Sequence, residues 1–236
     1  MSGLVLSLFP GGDLLGMAFE AEGFCVVAGP DVIFGRNIRD FHPPAGRFDG
    51  VIGGPPCQAF SQARNRKPGL AENLIPEFER CITEAQPQWF LMENVRDAPV
   101  PSVPGYLIDA VLLNNRWLGQ EQNRNRRFSF GTPNGRRLHV QLACLEPVLS
   151  APTVLATEHK GQLATRFYKG KVRSGRGSYI SRRALNICCE LQGLPPEFTE
   201  GMPFTLAGKY QVVGNGVPLP MGRAVAQAVK RALEGR

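Results

Sequence analysis

Between residues 4 and 92 the chain alternates short apolar runs with stretches of helical periodicity, and that alternation restricts the fold more than any other feature. Residues 4–9, Leu-Val-Leu-Ser-Leu-Phe, read as a strand, 14–22 as a helix and 24–28 as a second strand. Residues 51–53 close a further strand, 76–85 read as a helix, and 88–92 as the strand leading into Glu93. Strands separated by helices need crossover connections, which line the strands up in parallel with helices on the faces of the sheet. Residues 106–114 are predicted as another helix, 128–130 as an apolar strand, and 219–233 as an amphipathic helix that returns to the sheet. The expected class is therefore α/β, a doubly wound and mostly parallel sheet. Ligands of such sheets sit beyond the carboxyl ends of the strands. Gly11, Asp31, Cys57 and Glu93 all fall at or just past those ends.

After Gly131 the rhythm becomes irregular, with Thr132-Pro133-Asn134-Gly135 and further prolines at 147 and 152. A small second domain is expected over 135–207, with 1–134 and 208–236 forming the larger one. A length of 236 residues suits one full α/β core with such an appendage. No apolar run reaches the roughly 20 residues of a membrane-spanning helix. The start lacks a secretory pattern, so a cytoplasmic protein is expected. Six cysteines include no Cys-x-x-Cys pair and no histidine at ligand spacing, which argues against a structural zinc site. Cys188 and Cys189 read as small buried hydrophobes. The net charge of +7 favours polyanionic partners. Between His159 and Cys189 there is no acidic residue, while Lys160, Arg166, Lys169, Lys171, Arg173, Arg176, Arg182 and Arg183 lie inside that span. A solvated loop accounts for such a run equally well.

Four motifs bear on chemistry. Pro55-Pro56-Cys57-Gln58 ends a strand, and a cysteine in a proline-stiffened turn is held where it can react. Glu93 ends another strand, where partial burial would raise its pKa and suit it to donate a proton. Arg124 and Arg126, two residues apart, would project to one side of an extended chain and offer donors to a base or phosphate. Gly11 lets backbone approach a ligand closely, and Asp31 is placed to accept ribose hydroxyls. A tight turn, an exposed aspartate and a surface arginine pair are the ordinary alternatives.

Together these segments resemble the DNA cytosine C5 methyltransferase family, in the family's order and over nearly the whole chain. The resemblance rests on Ser7-Leu8-Phe9-Pro10-Gly11 with Phe19-Glu20, Pro55-Pro56-Cys57-Gln58, Glu93-Asn94-Val95, Gln122-Asn123-Arg124-Asn125-Arg126, Arg183 through Gln192-Gly193, and Gly214-Asn215-Gly216-Val217-Pro218. It implies a Rossmann-like fold and transfer of a methyl group from S-adenosylmethionine to a cytosine flipped out of duplex DNA. Cys57 would add to C6, Glu93 would engage N3, and Arg124 and Arg126 would orient and neutralise the base. Phe9, Gly11, Asp31, Asn37, Pro56, Leu74, Asn215 and Val217 would contact the cofactor, with no metal. Asp13-Leu14 replaces the glycine pair expected after the first motif, and Asn37 stands where an aspartate is usual.

Nucleic acid would meet Gln58, Ser61, Gln122, Lys160, Lys169, Lys171, Arg173 and Arg176. The resemblance further implies a monomer acting on double-stranded DNA, with a restriction endonuclease as a possible companion in the host. An RNA methyltransferase and a catalytically silent DNA-binding relative carry similar motifs. Folate-dependent pyrimidine methylases lack the Glu-Asn-Val and terminal motifs, and a zinc deaminase would need cysteine where Phe60 stands.

Overall fold

The computed structural model describes residues 3–56, 72–143, 150–156 and 184–235. Its centre is a six-stranded sheet. Strands β1 (Leu4–Leu8), β2 (Cys25–Ala28), β3 (Gly50–Gly53) and β4 (Trp89–Asn94) run parallel, followed by β5 (Leu107–Asn114) and β7 (Asn125–Thr132), in the order β2-β1-β3-β4-β7-β5. Only β7 is reversed, pairing antiparallel with both β4 and β5. A short second pair joins β6 (Gln122–Asn123) to β8 (Ala151–Pro152). The sheet is thus mostly parallel, as expected for an α/β fold.

Central strands are apolar because both faces are covered. Val5 and Ile52 face a layer formed by α1 (Leu14–Ala21) and α5 (Leu219–Glu234), together with Phe19, Trp89, Phe128 and Phe130. Leu6, Leu8, Val51 and Phe90 face α2 (Ile75–Ala85) through Phe78, Cys81 and Ile82. Burial in that layer pushes the Cys81 thiol up to about 11, so this cysteine is an inert packing group. Helices α3 (Leu185–Leu191) and α4 (Leu206–Asn215) form a third cluster with Leu14 and Val154, in which Cys188 and Cys189 are buried.

One element differs in kind from the sequence reading. Residues 106–114 are not a helix: Leu107–Asn114 is strand β5, paired residue for residue with Thr132 back to Asn125. Apolar residues at 107, 108, 111 and 112 satisfy helical spacing. The long antiparallel ladder with β7 is a non-local pairing that this spacing does not report.

Candidate functional site

The register of the sheet brings three strand ends to one edge. Leu8 pairs with Gly53, and Gly53 with Met92, so Phe9, Gly54 and Glu93 emerge side by side. Because β7 is reversed, its beginning lies where β4 ends, with Glu93 opposite Phe128 and Asn94 opposite Arg127. Arg126 is thereby delivered beside Glu93, and its Nε lies 2.7 Å from Glu93 Oε1. Glu93 is only 8% exposed. Burial raises its pKa and outweighs the opposing pull of Arg126 and Arg124, so the carboxyl is biased toward holding a proton.

Above this edge opens a cavity of about 800 Å³. The turn after β1 forms one wall, with Phe9, Gly11 and Asp13 all in the left-handed region (φ 54°, 55° and 52°). At Gly11 a side chain would project into open space, so this backbone is a bare ledge. Asp31, at the end of β2, accepts from the Gly11 amide at 2.9 Å and the Ile33 amide at 2.9 Å. Asn37 caps the next turn by accepting from Arg39 N. Pro55 and Pro56 form a further wall, and Asn94 Nδ2 donates to the Pro55 carbonyl at 3.2 Å. That bond fixes the turn on the strand that carries Glu93.

The fourth wall is the end of α4. A side-chain carbon at Gly214 would sit 2.4 Å from the Ala156 nitrogen, and one at Gly216 would sit 2.5 Å from Leu14 Cδ2. Glycine at both positions lets the backbone close on its neighbours while Asn215 between them stays exposed at the cavity. Phe9, Gly11, Asp31, Asn37, Pro56, Leu74, Asn215 and Val217 all line this one cavity, as do Glu93 and Arg126.

Two expected site residues lie elsewhere. Arg124 does not share the face of Arg126: the chain leaves the β6 pair and enters the main sheet at residue 124, which breaks the extended alternation. Its guanidinium is 1% exposed and donates to the carbonyls of Val154 (3.0 Å), Gly214 (3.0 Å) and Gly216 (2.9 Å). Gln122, expected to meet nucleic acid, is fully buried and donates to Leu191 O at 2.7 Å and Gln192 Oε1 at 3.2 Å. Both residues form an interior brace under the Gly214–Gly216 wall. Cys57, Gln58, Ser61, Lys160, Lys169, Lys171, Arg173 and Arg176 lie outside the described residues.

Asp13 was not expected at the site. It lines the cavity, caps α1, and has its pKa raised to about 6, chiefly by burial. Its departure from the glycine of the first motif was visible in sequence; its placement required the turn geometry.

Residues 34–99 match the family model of the C-5 cytosine-specific DNA methylases. Over 96 residues the chain is 36% identical to the type II methyltransferase M.HgiDI of Herpetosiphon aurantiacus, covering 36% of this chain and 31% of that protein. Over 159 residues it is 29% identical to the type II methyltransferase M.FnuDI of Fusobacterium nucleatum, covering 54% and 46%. The chain spans less than half the length of these relatives. The structure of the Entamoeba histolytica methyltransferase EhMeth superposes with a TM-score of 0.68 at 11% identity, over 100% of this chain and 99% of that one. That likeness concerns the fold. The matched segment holds the Pro-Pro turn and Glu93, which both line the cavity, so the match to the C-5 cytosine-specific DNA methylase model and the geometry converge on one site.

Proposed function

We propose that the protein transfers a methyl group from S-adenosylmethionine to C5 of a cytosine flipped out of double-stranded DNA, acting as a monomer through an adduct between Cys57 and C6. The observation that carries this reading is the buried Glu93–Arg126 pair on the floor of a cavity whose other walls are a glycine ledge, a strand-end aspartate and the Pro-Pro turn. The cavity suits a nucleoside-bearing cofactor. Gly11 leaves room for close approach, and each Asp31 oxygen retains a lone pair for a ribose hydroxyl after accepting one backbone amide. Asn37 keeps its amide NH2 for an adenine nitrogen while its oxygen caps a turn. When bound, S-adenosylmethionine supplies an electrophilic methyl group.

Cytosine C5 is a weak nucleophile, so the protein must first make it electron-rich. The thiolate of Cys57, the residue after Pro56, adds to C6, and charge that builds toward N3 is met by the proton of Glu93. Arg126 holds the Glu93 carboxyl in place and offsets negative charge on the base. Once C5 carries the methyl group, loss of its proton and departure of the Cys57 sulfur restore the aromatic ring. Arg124 serves this chemistry as a positioning residue, by fixing the wall that carries Asn215. The basic stretch from Lys160 to Arg176 supplies mainly phosphate contacts and gives a short or relaxed recognition sequence.

Labelled S-adenosylmethionine incubated with duplex DNA or with structured RNA tests the reading. Transfer to DNA is expected, and Cys57→Ala should abolish it. Transfer to RNA alone would move the substrate class, transfer to neither would indicate a silent relative, and persistence in Cys57→Ala would remove the proposed nucleophile.

A further inference from the structure

Asp13 carries a charge that its structural duties do not explain. Its Oδ1 accepts from Ser7 Oγ at 2.7 Å and from the Gly16 amide at 3.2 Å, which caps α1. Asparagine caps a helix as well as aspartate does and tolerates the left-handed backbone found here, without placing a charge in a partly buried site. The local sequence nevertheless accommodates the carboxylate, since a side-chain carbon at position 16 would lie 2.4 Å from Asp13 Oδ1 and only glycine fits there. The other acids of the cavity are accounted for. Glu93 pairs with Arg126, Glu72 pairs with Arg39, and Asp31 holds one backbone amide on each oxygen, whereas both bonds to the Asp13 carboxylate fall on Oδ1. Among the described residues no cation pairs with Asp13, and the charge of Glu20 acts on it repulsively.

We infer that the Asp13 carboxylate is the protein's receptor for a ligand ammonium, and that, given the cofactor assignment above, this is the α-ammonium at the methionine end of S-adenosylmethionine. The cavity then recognises its ligand at two points. Asp31 addresses the nucleoside and Asp13 the amino-acid end, Asp31 being tied to the turn after β1 through Gly11 and Asp13 to β1 itself through Ser7.

Calorimetric binding with three probes tests this: S-adenosylmethionine, S-adenosylhomocysteine, which keeps the ammonium but has no sulfonium, and 5'-methylthioadenosine, which has neither. Asp13→Asn should weaken the first two equally, by roughly 10- to 100-fold, the scale of a lost hydrogen bond to a charged group. It should leave 5'-methylthioadenosine unchanged. Asp13→Gly, which also suits the left-handed backbone, should reproduce the pattern. Loss confined to S-adenosylmethionine would mean that the carboxylate senses the sulfonium and would overturn the assignment. Equal loss for all three probes would reduce Asp13 to a wall-shaping role, and no loss would leave its charge without a ligand; either result overturns the proposal. A wild-type chain that binds none of the three would instead overturn the cofactor reading on which this rests.

Discussion

Arg126 and Arg124 stand two residues apart in one motif yet belong to two different regions. Arg126 faces the cavity wall, where it meets a carboxyl biased toward protonation. Arg124 belongs to a dry polar node beneath that wall, with Gln122 and Gln192, and spends its donors on backbone carbonyls. The difference teaches that one motif can line a cavity at one position and brace its wall at another. A charge at the wall can change partners when a substrate arrives, whereas donors at the node saturate carbonyls that have no water to turn to.

Three substitutions would break or sharpen that contrast. Glu93→Gln, on the wall, should lower the rate of methyl transfer by about 10²- to 10⁴-fold, the range for loss of a positioned acid. The same variant should melt no lower than wild type, because a buried ionisable group becomes neutral; a large fall in thermal midpoint would place Glu93 among the scaffold residues. Arg124→Met, at the node, should reverse the pattern and cost about 3–5 kcal/mol in denaturant unfolding, since buried carbonyls lose their donors. A stable Arg124→Met protein with ordinary cofactor affinity would erase the distinction between the two regions.

The smallest effect is expected at Asp13. Its folded pKa of about 6 lies above the ordinary carboxyl value of 3.8, so between those limits the folded state holds a proton that the unfolded chain has released. Wild-type stability should therefore fall as pH rises from about 4 to about 6, and that fall should be absent in Asp13→Asn. The variant should match wild type below pH 4 and exceed it by about 1–3 kcal/mol from pH 7 upward. Urea unfolding at pH 4 and pH 8 measures the difference, and a variant equally or less stable at pH 8 would show that burial does not strain this carboxyl.

The parallel half of the sheet was legible because its strands announce themselves as apolar runs, β1, β3 and β4 being buried on both faces, with Asp31 and Glu93 placed by their position past strand ends. Strand β5 was not, because its partner β7 lies beyond an intervening turn and pairing across that gap leaves no local periodicity. The two arginines illustrate the same limit at the site. Their spacing predicts a shared face only if one strand runs through both, and the chain changes sheets between them. Asp13 could be seen as a departure from a motif, but its burial and its contact with Ser7 depend on a turn with three left-handed residues, Phe9, Gly11 and Asp13.

The node under the cavity also has a practical use. Gln122 and Arg124 grip the chain at Val154, and Gln122 grips it again at Leu191. Those two grips are fixed posts on either side of residues 157–183. One buried glutamine therefore holds the described chain on both sides of that gap, so a substitution at Gln122 would loosen both ends at once.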